Sequence, residues 1–195
     1  MARRGLFGAS KGMLRRLVAR LRRPEPSPAE RALAAFRASG EKLVYADVGS
    51  AGGIPSAYRE LSRGGGAKLL LFDPQEDWRL NGQADEYGGC DIVRVGAALA
   101  ASSGNRTLYI TAAPGCSSFL KPNERVLAPF PVREWFSVTS MKPVLAKSFA
   151  AVRQEQGLPI PDILKVDVQG AELEVLEGFR ECLAGVACVE LEVNL

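Results

Sequence analysis

Three groups of residues in this 195-residue chain have the types and spacing that chemistry requires. The first is Asp47-Val48-Gly49-Ser50-Ala51-Gly52-Gly53, an acid two positions ahead of a glycine-rich turn. Glycines let a backbone approach a ligand, and a helix that starts after such a turn offers free N–H groups and a positive dipole end. The spacing Gly49-x-x-Gly52-Gly53 is not the G-x-G-x-x-G of a dinucleotide site, where an acid would also face the pyrophosphate. It suits a ligand with an ammonium and a sulfonium, and S-adenosylmethionine is such a ligand. Asp47, Gly49, Ser50, Ala51 and Gly52 are therefore candidates to hold its methionine end. The second group is Phe72-Asp73-Pro74, where a carboxylate at a strand end can accept both ribose hydroxyls of a nucleoside. The third is Asp167-Val168-Gln169-Gly170-Ala171-Glu172, placed where the reacting end of a substrate would lie.

The chain contains no histidine, which removes Ser-His-Asp and Cys-His catalysis, the common zinc sites and any histidine base. Cys116 has no histidine to activate it as a nucleophile, and acid–base work falls to carboxylates, lysines, tyrosines or the cysteines. Asp167 is the first candidate for a general base and Glu172 the second, with Gln169 orienting the acceptor. Lys165 is expected to pair with a carboxylate. No metal is assigned; a divalent ion shared by Asp167 and Glu172 is the lesser alternative.

The elements that must position these residues follow from the apolar pattern. Leu43–Val48, Lys68–Phe72, Asp91–Gly96 and Asp162–Val168 read as strands, the first two and the last as buried ones. Ile54, Ala57, Tyr58 and Leu61 fall at helical spacing after the first turn, and Ala171–Gly178 reads as a helix after the Gln169-Gly170 turn. Ala97 and Ala98, small residues after the third strand, would border the base of a nucleoside held by Asp73, with Pro74 beside it. Thr107–Thr111 reads as a strand, and Pro114–Ser118 as a loop able to shape a substrate site. Arg133–Phe136 is expected to be extended, Leu145–Gln156 helical, and Val186–Leu195 a last strand. A short polar helix is expected around Glu76–Leu80. Ligands in such α/β sheets sit beyond the carboxyl ends of the strands.

Charge is unevenly distributed. Residues 1–23 carry eight arginines and lysines and no acid, leaving 17 basic against 22 acidic residues in the rest. With Leu14, Leu17, Val18 and Leu21 on one face, this segment is expected to be a basic amphipathic helix able to lie on an anionic membrane. It also has the character of a transit peptide, or of a solvated arm. Pro24–Pro28 is a stiff linker, and Ser27 with Glu30 forms a capping box for a helix ending near Gly40, so the organisation expected is 1–23, 24–40 and a catalytic domain from 41 to 195. The mildly acidic body does not suggest a nucleic-acid binder. No apolar run is long enough to span a bilayer, and the four cysteines form no C-x-x-C pair, so a cytoplasmic location is expected, in peripheral contact with the membrane if residues 1–23 bind it.

The chain resembles the FkbM family of S-adenosylmethionine-dependent methyltransferases. The resemblance rests on Asp47–Gly52, Phe72–Pro74, Gly104–Thr111, the run Leu164–Glu172 and Val175-Leu176-Glu177-Gly178, with Pro114–Ser118 similar to a variant of the family's loop. It covers roughly 43–195 and implies an α/β, Rossmann-like class I methyltransferase fold of seven strands and O-methylation of a sugar, glycan or natural-product hydroxyl. The family's usual Leu-Asp pair before the helix preceding the Lys-Val-Asp strand is Leu145-Ala146 here. Its last two strands have no counterpart, so the sheet is expected to stop after the fifth core strand and leave an edge prone to self-association. A truncated homologue that binds cofactor without catalysis is the alternative reading. A nicotinamide oxidoreductase is disfavoured by the glycine spacing, and a nucleic-acid methyltransferase by the missing Asn/Asp-Pro-Pro-Tyr/Phe motif.

Overall fold

The computed structural model describes residues 26–50, 66–75 and 90–193. The basic segment 1–23, the helix expected after Gly53 and the one expected around Glu76 lie outside the described residues. The chain divides into two units between Ser39 and Gly40. The first contains helix α1, Pro28–Ser39. The Ser27 hydroxyl accepts from the Glu30 N–H at 3.2 Å, and the Glu30 carboxylate accepts from the Ser27 N–H at 2.7 Å, the reciprocal pair of a capping box.

The second unit is built on strands β1 (Leu43–Val48), β2 (Ala67–Phe72) and β3 (Asp91–Val95). The short β4 (Ala98–Leu99) and the longer β5 (Gly104–Thr111) follow. A 3-10 turn at Pro114–Cys116, the single-turn helix α2 (Glu124–Leu127) and a 3-10 turn at Pro131–Phe136 lead to β6 (Val138–Lys147). Helix α3 (Phe149–Gln156), β7 (Ile163–Val166), helix α4 (Glu172–Phe179) and β8 (Cys188–Leu191) complete the unit.

Five strands form one parallel sheet in the order β3-β2-β1-β7-β8. The order reverses between β1 and β7, which opens a crevice beyond their carboxyl ends. This is the Rossmann-like arrangement expected from the sequence. One face buries Ala46, Val48, Leu70, Phe72, Leu164 and Val166 under α3 and α4. Phe149 from α3 and Phe179 from α4 stack there with ring centroids 3.9 Å apart, and Phe72 meets Phe149 edge-on at 6.0 Å. The opposite face buries Tyr45, Leu69 and Leu71. Strands apolar on both faces are what a covered parallel sheet requires.

The second sheet, β4-β6-β5, departs from the expected single sheet. β5 and β6 run antiparallel over their length, with a register shift between Ile110 and Thr111. Two local expectations need correction here. The segment around Leu145 is strand rather than helix, because Val144–Ala146 pair with Gly104–Arg106 and Ala146 pairs with Ala98. The helix begins only at Phe149, where the Ser148 hydroxyl caps it by accepting from the Ala151 N–H at 3.2 Å. Arg133–Phe136 is a 3-10 turn rather than extended: Pro131 opens it, and the Ser137 N–H closes it onto the Glu134 carbonyl at 3.2 Å. Helix α4 lies against the connection after β4, so closely that a Cβ on Gly178 would stand 2.2 Å from the Ala100 carbonyl oxygen.

Candidate active site

The turn after β1 is the centre of the site. Gly49 has φ +88°, a conformation that glycine adopts without steric cost. A Cβ at this position would sit 1.9 Å from the Asp167 carbonyl oxygen, so β1 and β7 approach this closely only around a hydrogen. The Gly49 N–H donates to the Phe72 carbonyl at 3.0 Å, and the Ser50 hydroxyl donates to the same carbonyl at 3.3 Å. Ser50 thus ties the turn to the end of β2. Ala51 and Gly52 lie outside the described residues.

Beyond these strand ends lies an open cleft. Gly49, Asp73, Pro74, Ala97, Ala98 and Asp167 are all in its wall, together with Pro114, Gly115, Ser117 and Ser118 of the loop after β5. Asp73 is buried and folds into a local turn, its Oδ1 accepting from the Gln75 N–H at 2.8 Å. The loop is held to the β7 turn by the Ser118 hydroxyl, which donates to the Gln169 carbonyl at 2.9 Å. Ser117 Oγ accepts from the Thr111 N–H at 3.2 Å, anchoring the loop's other side.

Asp47 stands behind this wall rather than in it. It is fully buried, and its Oδ1 accepts from the Lys165 ammonium at 3.2 Å, while Oδ2 has no hydrogen-bond partner among the described residues. Burial pushes the Asp47 carboxyl up to about 6, against the opposing pull of Lys165. Lys165 also donates to Asp167 Oδ2 at 3.4 Å. Burial works against its charge, but the two carboxylates outweigh that and hold the ammonium above its ordinary value. Lys165 therefore does pair with carboxylates, and β1–β7 adjacency identifies Asp47 as one of them.

Asp167 follows β7 and is half-buried in the cleft wall. Gln169, with φ +58°, turns its amide back to donate to Asp167 Oδ1 at 2.8 Å. Glu172 is occupied differently: its Oε1 accepts from the Val168 N–H at 3.2 Å and the Gly170 N–H at 2.9 Å. That carboxylate holds the turn at the start of α4 and does not line the cleft. Of the three candidates at the reacting end, Asp167 faces the cleft, Gln169 positions Asp167, and Glu172 shapes the turn that carries both.

Sequence reading missed Glu192, whose carboxyl is hydrogen-bonded to Asp167 and is raised by that bond and by the Asp167 charge. The signal was in the register: β7 and β8 are parallel with Val166 beside Leu191, which sets residue 192 beside 167. The Cys116 thiol is pushed up by burial and then by Glu192 and Asp167, which disfavours the thiolate a nucleophile needs. Among the described residues no group of three or more acids or cysteines is arranged to hold a metal ion, and no helix is long and apolar enough to cross a membrane.

Comparison with known proteins gives a match to the methyltransferase FkbM domain over residues 47–194. No curated protein matches the chain. The matched span begins at the buried acid before the Gly49 turn and contains every cleft-lining residue named above.

Proposed function

Since the chain belongs to the methyltransferase FkbM family, we propose that it methylates a hydroxyl of a sugar, glycan or natural product with S-adenosylmethionine as donor. The observation that carries this reading is the convergence of the Gly49 turn, Asp73 and Asp167 on one cleft at the point where strand order reverses. The residues present fit the donor. Gly49, Asp73, Ala97 and Ala98 line the cleft, and the buried Asp47 Oδ2 behind its wall is an acceptor without a partner among the described residues, suited to an ammonium. Asp73 would accept the ribose hydroxyls, and Ala97 and Ala98 would border the adenine. When bound, the donor supplies an electrophilic methyl on a positively charged sulfur.

The chain's own residues supply position and a proton acceptor. Holding the acceptor oxygen in line with the methyl replaces a bimolecular encounter, the larger share of the acceleration. Asp167 accepts the hydroxyl proton, and Gln169 and Lys165 fix the direction in which its oxygens point.

Calorimetry with S-adenosylmethionine tests the reading. The folded chain is expected to bind it, and Asp73→Ala to raise Kd about 100-fold, the loss of two hydrogen bonds to a carboxylate. A folded wild-type chain that does not bind would sink the proposal. Affinity should also depend on pH. An ammonium favours ionised Asp47, whose carboxyl titrates at about 6. Binding is therefore expected to be constant above pH 7 and to weaken towards a tenfold loss per pH unit below 6. An unchanged Kd at pH 5 would remove Asp47 from the donor site.

A further inference from the structure

The peptide unit between Gln169 and Gly170 is gripped from both edges. Its carbonyl accepts from the Ser118 hydroxyl at 2.9 Å, and its N–H donates to Glu172 Oε1 at 2.9 Å. Glu172 also accepts from the Val168 N–H at 3.2 Å, so the turn after β7 is bonded along its length. Within it Gln169 has φ +58°, the one positive φ outside glycine among the described residues. Such a conformation persists only where its surroundings determine it. The two grips differ in origin. Glu172 belongs to the helix that the turn opens, whereas Ser118 lies 51 residues earlier, in the loop that lines the cleft.

Ser118 is itself fixed before it reaches the turn. Its N–H donates to the Tyr109 carbonyl at 3.2 Å, and its carbonyl accepts from the Tyr109 N–H at 2.9 Å, which ties it to β5. Its buried hydroxyl accepts from the Leu120 N–H at 3.1 Å and has a single proton to give, which goes to Gln169. Leu120 packs on the same turn, so closely that a Cβ on Gly170 would stand 2.9 Å from Leu120 Cδ1. From the turn, the Gln169 amide donates to Asp167 Oδ1 at 2.8 Å. Consecutive hydrogen bonds thus run from β5 through Ser118 and Gln169 to the carboxylate in the cleft wall.

We propose that Ser118 is a positioning residue that acts through Gln169 to aim Asp167, so that the loop after β5 and the proton acceptor are aligned as one unit. The inference rests on the methyl-transfer reading above and extends it to the loop. A rigid peptide unit held on one edge can still rotate through the ψ before it and the φ after it. Without the Ser118 bond the Gln169 backbone is released, and the direction of Asp167 is no longer set from the Oδ1 side. A methyl acceptor seated against Ser117 or Ser118 presses on the same line of bonds, which links its seating to the direction of the base.

The test is the Gln169 side-chain amide signal, read by heteronuclear NMR in the full chain without ligand. In wild type a proton bonded to a carboxylate should lie downfield of its position in the urea-unfolded chain. Ser118→Ala should move it towards that position and speed its exchange with water about tenfold, the loss of roughly one hydrogen bond. Ser118→Thr keeps the hydroxyl and should restore the wild-type signal, which a merely structural role of the loop would not require. Ser118→Cys keeps the shape with only a weak donor, should shift the signal in the same direction as alanine, and decides the matter if the alanine variant does not fold. A wild-type signal at the unfolded position, a signal unmoved by alanine or cysteine, or no restoration by threonine would each overturn the proposal. Wild-type binding of S-adenosylmethionine is measured beside it. The expected shifts in a chain that binds none would count against the methyl-transfer reading and leave the Ser118–Gln169–Asp167 linkage standing, whereas missing shifts in a chain that binds it would overturn the linkage alone.

Discussion

Lys165→Met is expected to destabilise the protein by about 2–4 kcal/mol at pH 8, because it leaves the fully buried Asp47 and its neighbour Asp167 without their cation. The pH dependence separates this from lost packing. The Asp47 carboxyl is already raised by burial to about 6 in the folded protein, so the native state prefers it protonated. A raised carboxyl costs stability as pH rises from the unfolded value near 4 to the folded one, and the cost is constant above that. Without Lys165 the folded value rises further, so the variant's deficit should grow between pH 5 and pH 8. The ammonium's own contribution is present throughout this window, because its raised value lies above 10.5 and is lost only at higher pH. Urea denaturation at the two pH values is the measurement. An equal deficit at both would assign the loss to altered packing rather than to the missing charge.

Gly49→Ala should be more damaging still. The new Cβ would lie 1.9 Å from the Asp167 carbonyl oxygen, and the backbone would keep a φ of +88° that L side chains rarely adopt. The conformation alone costs about 1–2 kcal/mol. The clash is with backbone on a neighbouring strand, so relief requires β1 and β7 to part where they flank the cleft. A total loss of about 3–5 kcal/mol is expected, with loss of S-adenosylmethionine binding. Gly157→Ala is the control, because Gly157 also has positive φ (+65°) but a Cβ there meets nothing within 4 Å. It should cost about 1 kcal/mol and leave binding intact. Equal melting temperatures for the two variants would show that the close approach at Gly49 is not needed.

The parts of the fold legible in the sequence are those whose burial is decided locally. β1, β2 and β7 read as apolar runs because both sheet faces are covered, and α4 reads as a helix after the Gln169-Gly170 turn. Of Leu173 and Leu176, expected to face inward, Leu173 is nevertheless exposed, and Val175 and Phe179 are the buried residues. The β4-β6-β5 sheet was hidden because β6 is mostly exposed and its residues alternate weakly. Val144–Ala146 become strand through partners distant in the chain, which no local pattern reveals. The site divides the same way. Asp47, Asp73 and Asp167 are visible as acids at strand ends, but their roles depend on neighbours. Only the β1–β7 register gives Lys165 to Asp47, and only the β7–β8 register brings Glu192 to Asp167. Glu172 is equally visible as an acid, and only its bonds to the Val168 and Gly170 N–H groups show that it holds the turn at the start of α4.

The way the second sheet is stitched has a consequence for how this protein can diversify. The chain leaves at β4 and returns at the end of β6, where Ala98 pairs with Ala146 and Leu99 with Lys147. Everything from Gly104 to Val144 is therefore an excursion whose two ends meet at one place. Its outer surface is already irregular, with Val126, Phe130, Trp135 and Met141 exposed. Lengthening or recasting that excursion changes what flanks the cleft and adds little to the cost of closing it, since closure entropy grows only slowly with length. On the reading proposed above, in which β1, β2 and β7 carry the donor side, a change of acceptor can be made in this one stretch of chain without rebuilding that side.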